Sequence, residues 1–124
     1  MMNYLMVFAG GGFGSVIRFM LGTWIGQHWG RSFPLGTFVI NVTGSFLIGF
    51  LMTLIAVRVI VNPQWRLLLV VGGLGGYTTF STFQYETGKL AMDGELVYAA
   101  LNMVLSVGVG FMALKLGEVV AKTI

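Results

Sequence analysis

Long apolar stretches alternate with short polar connections along the whole chain. Apolar residues dominate four stretches, at about 4–26, 34–61, 65–91 and 96–119. A helix needs about 20 mostly apolar residues to cross the hydrocarbon core of a bilayer. The pattern therefore predicts an all-α integral membrane protein, a single domain over residues 1–124 with four transmembrane helices.

The third stretch contains an unusual polar and glycine-rich segment. Four glycines fall among the five residues from Gly72 to Gly76, and each weakens a helix by about 1 kcal/mol relative to alanine. Thr78 and Thr79 follow, and hydroxyl side chains can bond nearby backbone groups instead of extending a helix. We predict that the third helix is broken at its middle, where its freed carbonyls and amides can meet ions. A glycine- and threonine-rich helix packed tightly against a neighbour is the alternative.

Polar residues recur every four residues in the second and fourth stretches. The two rows are Thr37, Asn41 and Ser45, and Asn102, Ser106 and Gly110. The amide of Asn41 needs hydrogen-bond partners in a medium without water. It either holds helices together or lines a pore, and the sequence leaves both open.

The first stretch carries small residues at the same spacing. Gly10, Gly14, Gly22 and Gly26 form an oblique row in which Arg18 is the one charged member. Small residues at this spacing let helices approach closely. A charge inside a span faces protein or water and suggests a function, whereas near the end of a span it can extend to the lipid headgroups.

Composition supports the membrane interpretation and excludes several classes of function. The chain is 56% hydrophobic and only 9% charged, with a mean hydropathy of +0.89, whereas soluble domains carry about 25% charged residues. The chain has no cysteine and one histidine, His28, in a predicted loop, so thiolate chemistry, cysteine metal sites and a serine–histidine–acid triad are excluded. Its scattered basic residues form no cluster for nucleic acid. We therefore expect no enzyme.

The basic residues give little preference for one orientation in the membrane. One predicted side carries Arg58, Arg66, Lys115 and Lys122, and the other carries Arg31 and Lys89. This weak bias under the positive-inside rule lets a chain insert both ways up, and two oppositely inserted copies pair about a two-fold axis in the membrane plane. Glu86 lies within reach of Lys89 on a helix, which predicts an ion pair at the membrane edge.

Phe80 and Phe83 share one face if a helix resumes after the break. Two aromatic rings in a span usually pack in the core or against lipid. Here the hydroxyls of Ser81 and Thr82 interleave with them, and ring edges carry the positive part of the aromatic quadrupole. With the buried donors of the other helices, they suggest a path for an anion.

Two segments combine these features in a distinctive way: GTFVINVTGSFLIG, from Gly36 to Gly49, and GGLGGYTTFSTFQYE, from Gly72 to Glu86. They resemble the signatures of the CrcB/Fluc bacterial fluoride channels. With the glycine-rich first helix, the resemblance covers nearly the whole chain. It implies an antiparallel, dual-topology homodimer in the bacterial inner or plasma membrane, with two pores for passive export of fluoride and reduced fluoride toxicity.

The resemblance also implies roles for individual residues. The family's pore residues match Asn41, Phe80 and Phe83, and its polar track matches Ser81, Thr82, Asn102 and Ser106. Its vestibule arginine matches Arg18. A structural sodium ion at the dimer centre would be held by backbone carbonyls that match Gly75 and Thr78 of both subunits. Some relatives carry tyrosine or serine where Asn102 and Gly110 stand here.

Two other functions fit a small membrane protein of this kind. A small multidrug-type exporter also has four spans and dual topology, but it needs a membrane-embedded carboxylate that the first span lacks. A membrane scaffold would use the glycines and asparagines only to pack helices.

Overall fold

The computed structural model describes residues 1–29, 32–58 and 62–124, and all regular structure in these ranges is helical. The all-α prediction is confirmed. The third helical region is divided in two. We number the helices α1 (Met2–His28), α2 (Leu35–Val57), α3 (residues 63–77), α4 (Ser81–Met92) and α5 (Leu96–Thr123). Helix α3 consists of Pro63–Trp65, the π-helical segment Arg66–Leu74, and Gly75–Tyr77.

Three of the described helices, α1, α2 and α5, are long and apolar enough to cross a membrane. Many of their large apolar side chains point away from the protein; Phe8 on α1, for example, is 80% exposed. Such a surface suits lipid and not water. The chain is therefore a multi-pass membrane protein. Because α3 and α4 are separated by an interruption, the fourth crossing stays a prediction. The single-domain boundaries also stay a prediction.

The third helix is interrupted at residues 78–80, after the glycines and not among them. Gly72 and Gly73 lie in the π-helical segment, and Gly75 and Gly76 lie in the last turn of α3. The predicted break is confirmed, but only one of its two expected causes applies. The threonines end the helix, and the glycines serve the close packing that the alternative interpretation assigned to them.

These glycines bring α1 and α3 into backbone contact. A Cβ atom on Gly72 would lie 2.6 Å from the carbonyl oxygen of Val7, and one on Gly76 would lie 2.6 Å from that of Gly11. A Cβ on Gly10 would overlap the carbonyl oxygen of Leu68. The close approach predicted from the glycine row is thus confirmed for this part of α1, whereas a Cβ on Gly26 would meet no atom within 4 Å.

A second glycine contact joins α2 to α5. A Cβ atom on Gly49 would overlap the carbonyl oxygen of Leu114, and one on Gly117 would overlap that of Phe46. Between α2 and α3, the buried side chains of Ile40, Leu74 and Tyr77 form the core. Residues 78–80 therefore lie next to helices that cannot easily shift.

One ion pair near the end of α4 differs from the sequence prediction. Lys89 Nζ lies 3.6 Å from Asp93 Oδ2, so Lys89 pairs with the acidic residue directly after the end of α4 and not with Glu86 as predicted. Both residues lie on exposed surface, where water screens such a pair. Arg31, and the predicted end of the second span at residue 61, lie outside the described residues.

Candidate functional site

The side chain of Asn41 on α2 bridges the interruption between α3 and α4. Its Nδ2 donates to the carbonyl oxygen of Thr79, and its Oδ1 accepts from the Thr79 backbone N–H, both at 2.9 Å. An interrupted helix leaves such groups without intrahelical partners, and membrane depth offers no water to satisfy them. Asn41 therefore holds α2 to the interruption, and one N–H of its amide stays available for another partner.

Two threonines set the local shape of the interruption. Thr78 adopts an extended backbone, with φ −84° and ψ 158°, and both its N–H and its Oγ1 donate to the carbonyl oxygen of Leu74 at 2.9 Å. Thr79 Oγ1 then accepts from the N–H of Thr82 at 3.3 Å, at the start of α4. Hydroxyls at these positions compete with the regular helix for backbone partners, which ends one helix and begins the next.

Phe80 and Phe83 lie directly after this turn. Their ring centroids are 5.9 Å apart and the ring planes meet at 46°. Phe83 is buried at 7% exposure, whereas Phe80 is 70% exposed. Between them, Ser81 is exposed and Thr82 is half-buried. One ring is thus fixed in the protein and the other is presented outward.

Four of the predicted site residues line one groove beside the interruption. The groove has a volume of ≈ 510 Å³, and its lining includes Asn41, Gly75, Thr78, Thr79 and Phe80. It also includes apolar residues of α2 and α3, such as Ile48 and Leu74. The groove combines a wall of aliphatic side chains with a few main-chain and amide groups, a composition typical of binding sites for small ligands.

The backbone oxygens of Gly75 and Thr78 lack hydrogen bonds within the described ranges. In a continuous helix the N–H groups of Thr79 and Thr82 would donate to them. Here Thr79 donates to Asn41 and Thr82 donates to the Thr79 hydroxyl. Gly75 and Thr78 both line the groove. Unpaired carbonyl oxygens suit a small hard cation, so the residues fit the sodium ion that the resemblance implies.

Arg18 reaches from α1 to the end of α3. Its Nε donates to the carbonyl oxygen of Gly76 at 2.9 Å. The C-terminal end of a helix carries a partial negative charge that a nearby cation stabilises. The guanidinium thus lies near the interruption and has further N–H donors for other partners.

The predicted polar residues of α5 form a second hydrogen-bonded group. Asn102, at 1% exposure, is the largest fully buried side chain among the described residues. Its Nδ2 donates to Thr87 Oγ1 at 2.8 Å, and its Oδ1 accepts from Ser106 Oγ at 3.3 Å. Thr87 Oγ1 in turn donates to the carbonyl oxygen of Phe83 at 2.8 Å. The group therefore ends on the backbone of one of the two phenylalanines.

Sequence reasoning missed Thr79 as the partner of Asn41 and Thr87 as the partner of Asn102. A signal for Thr87 existed, because it stands four residues after Phe83 and so shares its helix face. No comparable signal identified Thr79, since its pairing joins residues far apart in the sequence.

Comparison with known protein families identifies the family of the chain. The family model of CrcB-like protein, Camphor Resistance (CrcB), matches residues 5–118. The chain belongs to the CrcB family.

Curated relatives of this CrcB chain match it along nearly its whole length. The fluoride-specific ion channel FluC of Solibacter usitatus (strain Ellin6076) is 46% identical over 98% of this chain and 99% of the relative. A protein of the same name from Acidobacterium capsulatum is 45% identical over 99% and 98% of the two chains. Another, from Sulfurihydrogenibium sp. (strain YO3AOP1), is 38% identical over 98% of each.

The CrcB match includes every candidate residue, from Arg18 on α1 to Ser106 on α5. The predicted resemblance to this family is confirmed. The relatives are named as ion channels and not as enzymes, which agrees with the class of function expected from the sequence.

Proposed function

We propose that this protein is a fluoride-selective channel through which fluoride leaves the bacterial cytoplasm passively. The observation that carries the proposal is the pair Phe80 and Phe83, placed directly after a helix interruption that Asn41 bridges. The names of the curated relatives support fluoride as the transported ion. The protein would act in the cell membrane, in contact with lipids, and would reduce fluoride toxicity.

The edges of the two rings and a few hydrogen-bond donors replace the water of the ion. Ring edges are electropositive, and several weak contacts bind an anion loosely enough for it to leave. The proposed donors are Asn41, Ser81, Thr82 and Asn102, and Ser106 belongs to the path as the residue that donates to Asn102. Arg18 would attract anions at a vestibule. Only its Nε donates to the carbonyl oxygen of Gly76, so the other N–H groups of the guanidinium can contact an ion.

A passive pore is sufficient for export. The negative interior potential drives an anion outward by about 2.3 kcal/mol per charge per 100 mV. Hydrogen fluoride is neutral and enters through the bilayer, and then it dissociates inside. No coupling ion or carboxylate relay is required, which favours a channel over a multidrug-type exporter.

The functional unit in this proposal is an antiparallel homodimer of two oppositely inserted copies. Four short helices enclose little of a pathway alone. Gly75 and the ring of Phe80 are exposed on the single chain, so a second copy can cover them. The weak charge bias between the two sides supports dual insertion. A structural sodium ion at the dimer centre would bind the carbonyl oxygens of Gly75 and Thr78 from both copies.

Efflux from liposomes tests the proposed function. Purified protein is reconstituted with potassium fluoride inside, valinomycin is added, and external fluoride is followed with an electrode. We expect fast release of fluoride, and none of chloride in parallel liposomes loaded with potassium chloride. Failure to release either ion, from protein shown to be folded and dimeric, would overturn the channel proposal and favour a scaffold that shares the family's fold.

A further inference from the structure

Thr87 lies between the aromatic pair of α4 and the polar row of α5. The sequence prediction assigned it to neither. Its side chain is 7% exposed. Its Oγ1 joins the carbonyl oxygen of Phe83 on its own helix, α4, to the amide of Asn102 on α5, both at 2.8 Å. This hydroxyl is therefore the connection between a ring of the aromatic pair and the polar row of α5.

The chemistry of the hydroxyl fixes the direction of every bond in this group. A threonine hydroxyl has one proton, and the carbonyl oxygen of Phe83 can only accept it. Thr87 Oγ1 can then only accept from Asn102, so it selects the NH₂ side of the amide and not the carbonyl side. The carbonyl side of Asn102 consequently faces Ser106, whose hydroxyl proton it receives at 3.3 Å.

One donor of this group remains unused within the described part of the chain. A primary amide has two N–H groups, and Asn102 uses one of them on Thr87. The hydroxyl of Ser106 already donates its proton to Asn102 Oδ1. In its present orientation the second N–H of Asn102 is the donor that remains, whereas a reversed amide would place a carbonyl oxygen there, which would repel an anion.

We propose that Thr87 is a positioning residue of the conduction path: its hydroxyl orients the amide of Asn102 so that an N–H is presented to the anion, and fixes that amide relative to Phe83. This inference deepens the proposed function and rests on it. Ser106 then supports the carbonyl side of Asn102, and its own contact with the ion is secondary.

Replacement of the hydroxyl tests this role through fluoride efflux. Thr87→Val keeps the shape of the side chain but cannot accept from Asn102, so we expect efflux to fall by roughly five- to tenfold, the factor of one lost hydrogen bond. Thr87→Ser restores the hydroxyl and should restore most of the efflux. The matched control is Thr123→Val, which removes a hydroxyl bonded only to the carbonyl of Val120 at the exposed end of α5.

The amide protons of Asn102 give a second readout that a purely structural role would not move. In nitrogen-labelled protein, fluoride but not chloride should shift one of the two side-chain N–H resonances of Asn102, and Thr87→Val should abolish this shift. Equal efflux from folded Thr87→Val and Thr87→Ser proteins, or an absent fluoride shift in the conducting parent, would overturn the role of Thr87. A parent protein that releases no fluoride would overturn the proposed function first, and this role with it.

Discussion

At the scale of single residues, the position of Asn41 suits both of the roles that the sequence left as alternatives, helix packing and the lining of a pore. It satisfies the N–H and the carbonyl oxygen of Thr79 across two helices, and it also lines the groove beside Phe80. An amide with both of these hydrogen bonds is held in one orientation. Packing and ion contact are therefore compatible at this position.

We expect Asn41→Ala to lower both stability and fluoride efflux. The change leaves the two backbone groups of Thr79 unpaired, which costs about 1–3 kcal/mol for each buried group. The free energy of unfolding of detergent-solubilised protein and the efflux rate measure the two effects. Asn62→Ala is the matched control, because Asn62 accepts one bond from the N–H of Gln64 in an exposed turn, where water can replace it. Normal efflux from a folded Asn41→Ala protein would remove Asn41 from the path.

The aromatic pair gives a second prediction at this scale. Phe80→Ile and Phe83→Ile keep an apolar side chain but remove the electropositive ring edge. We expect each to lower fluoride efflux from liposomes by at least about tenfold, equivalent to roughly 1.4 kcal/mol. Phe83→Ile should also lower stability, since Phe83 is buried whereas Phe80 is exposed.

Phe8→Ile is the control for this pair, because it makes the same change at an exposed ring on α1 and should conduct like the parent. If both site variants conducted as fast as the Phe8→Ile protein, the rings would have no part in ion coordination.

At the scale of helices, the glycines of α1 are not equivalent, although they share one row in the sequence. Gly10→Ala would place a Cβ on the backbone of α3 at Leu68. We expect it to destabilise the folded protein by about 1–3 kcal/mol, as overpacking does. Gly26→Ala, in the same row, meets no atom within 4 Å and should be neutral or slightly stabilising. Thermal unfolding in detergent compares them, and equal losses would contradict the packing of α1 on α3.

The same contrast explains how much of the fold could be predicted from the sequence. Hydropathy located the apolar helices, because burial in lipid imposes a simple length requirement. Composition could not decide whether the run from Gly72 to Gly76 breaks a helix or admits a neighbour, since both uses favour glycine. The answer depends on α1, which contacts this run from a distant part of the sequence.

The site shows a similar limit. Phe80, Phe83 and Asn41 were found from local pattern and family resemblance, and the structure brings Asn41 and Phe80 to one groove. The partner of Arg18 is a carbonyl oxygen 58 residues away. Every residue has a backbone carbonyl, so the residue type does not indicate which one accepts this bond. Tertiary hydrogen bonds to the main chain are therefore the part of the site that sequence patterns reveal least.

At the scale of the whole molecule, the carbonyl oxygens of Gly75 and Thr78, unpaired within the described part of the chain, predict that sodium stabilises the proposed dimer. A ligand that binds only the folded state adds about 2.7 kcal/mol of stability at a concentration 100 times its dissociation constant. Protein prepared throughout in N-methylglucamine salts should therefore unfold at a lower temperature than protein in sodium salts, and the midpoint should rise with sodium concentration. Thr78→Val removes the hydroxyl that bonds Leu74 but keeps the carbonyl, so sodium should still stabilise that variant. A midpoint that is the same in both salts, for parent and variant, would exclude a cation at these oxygens, and the proposed antiparallel pair would then have to be held by side-chain packing alone.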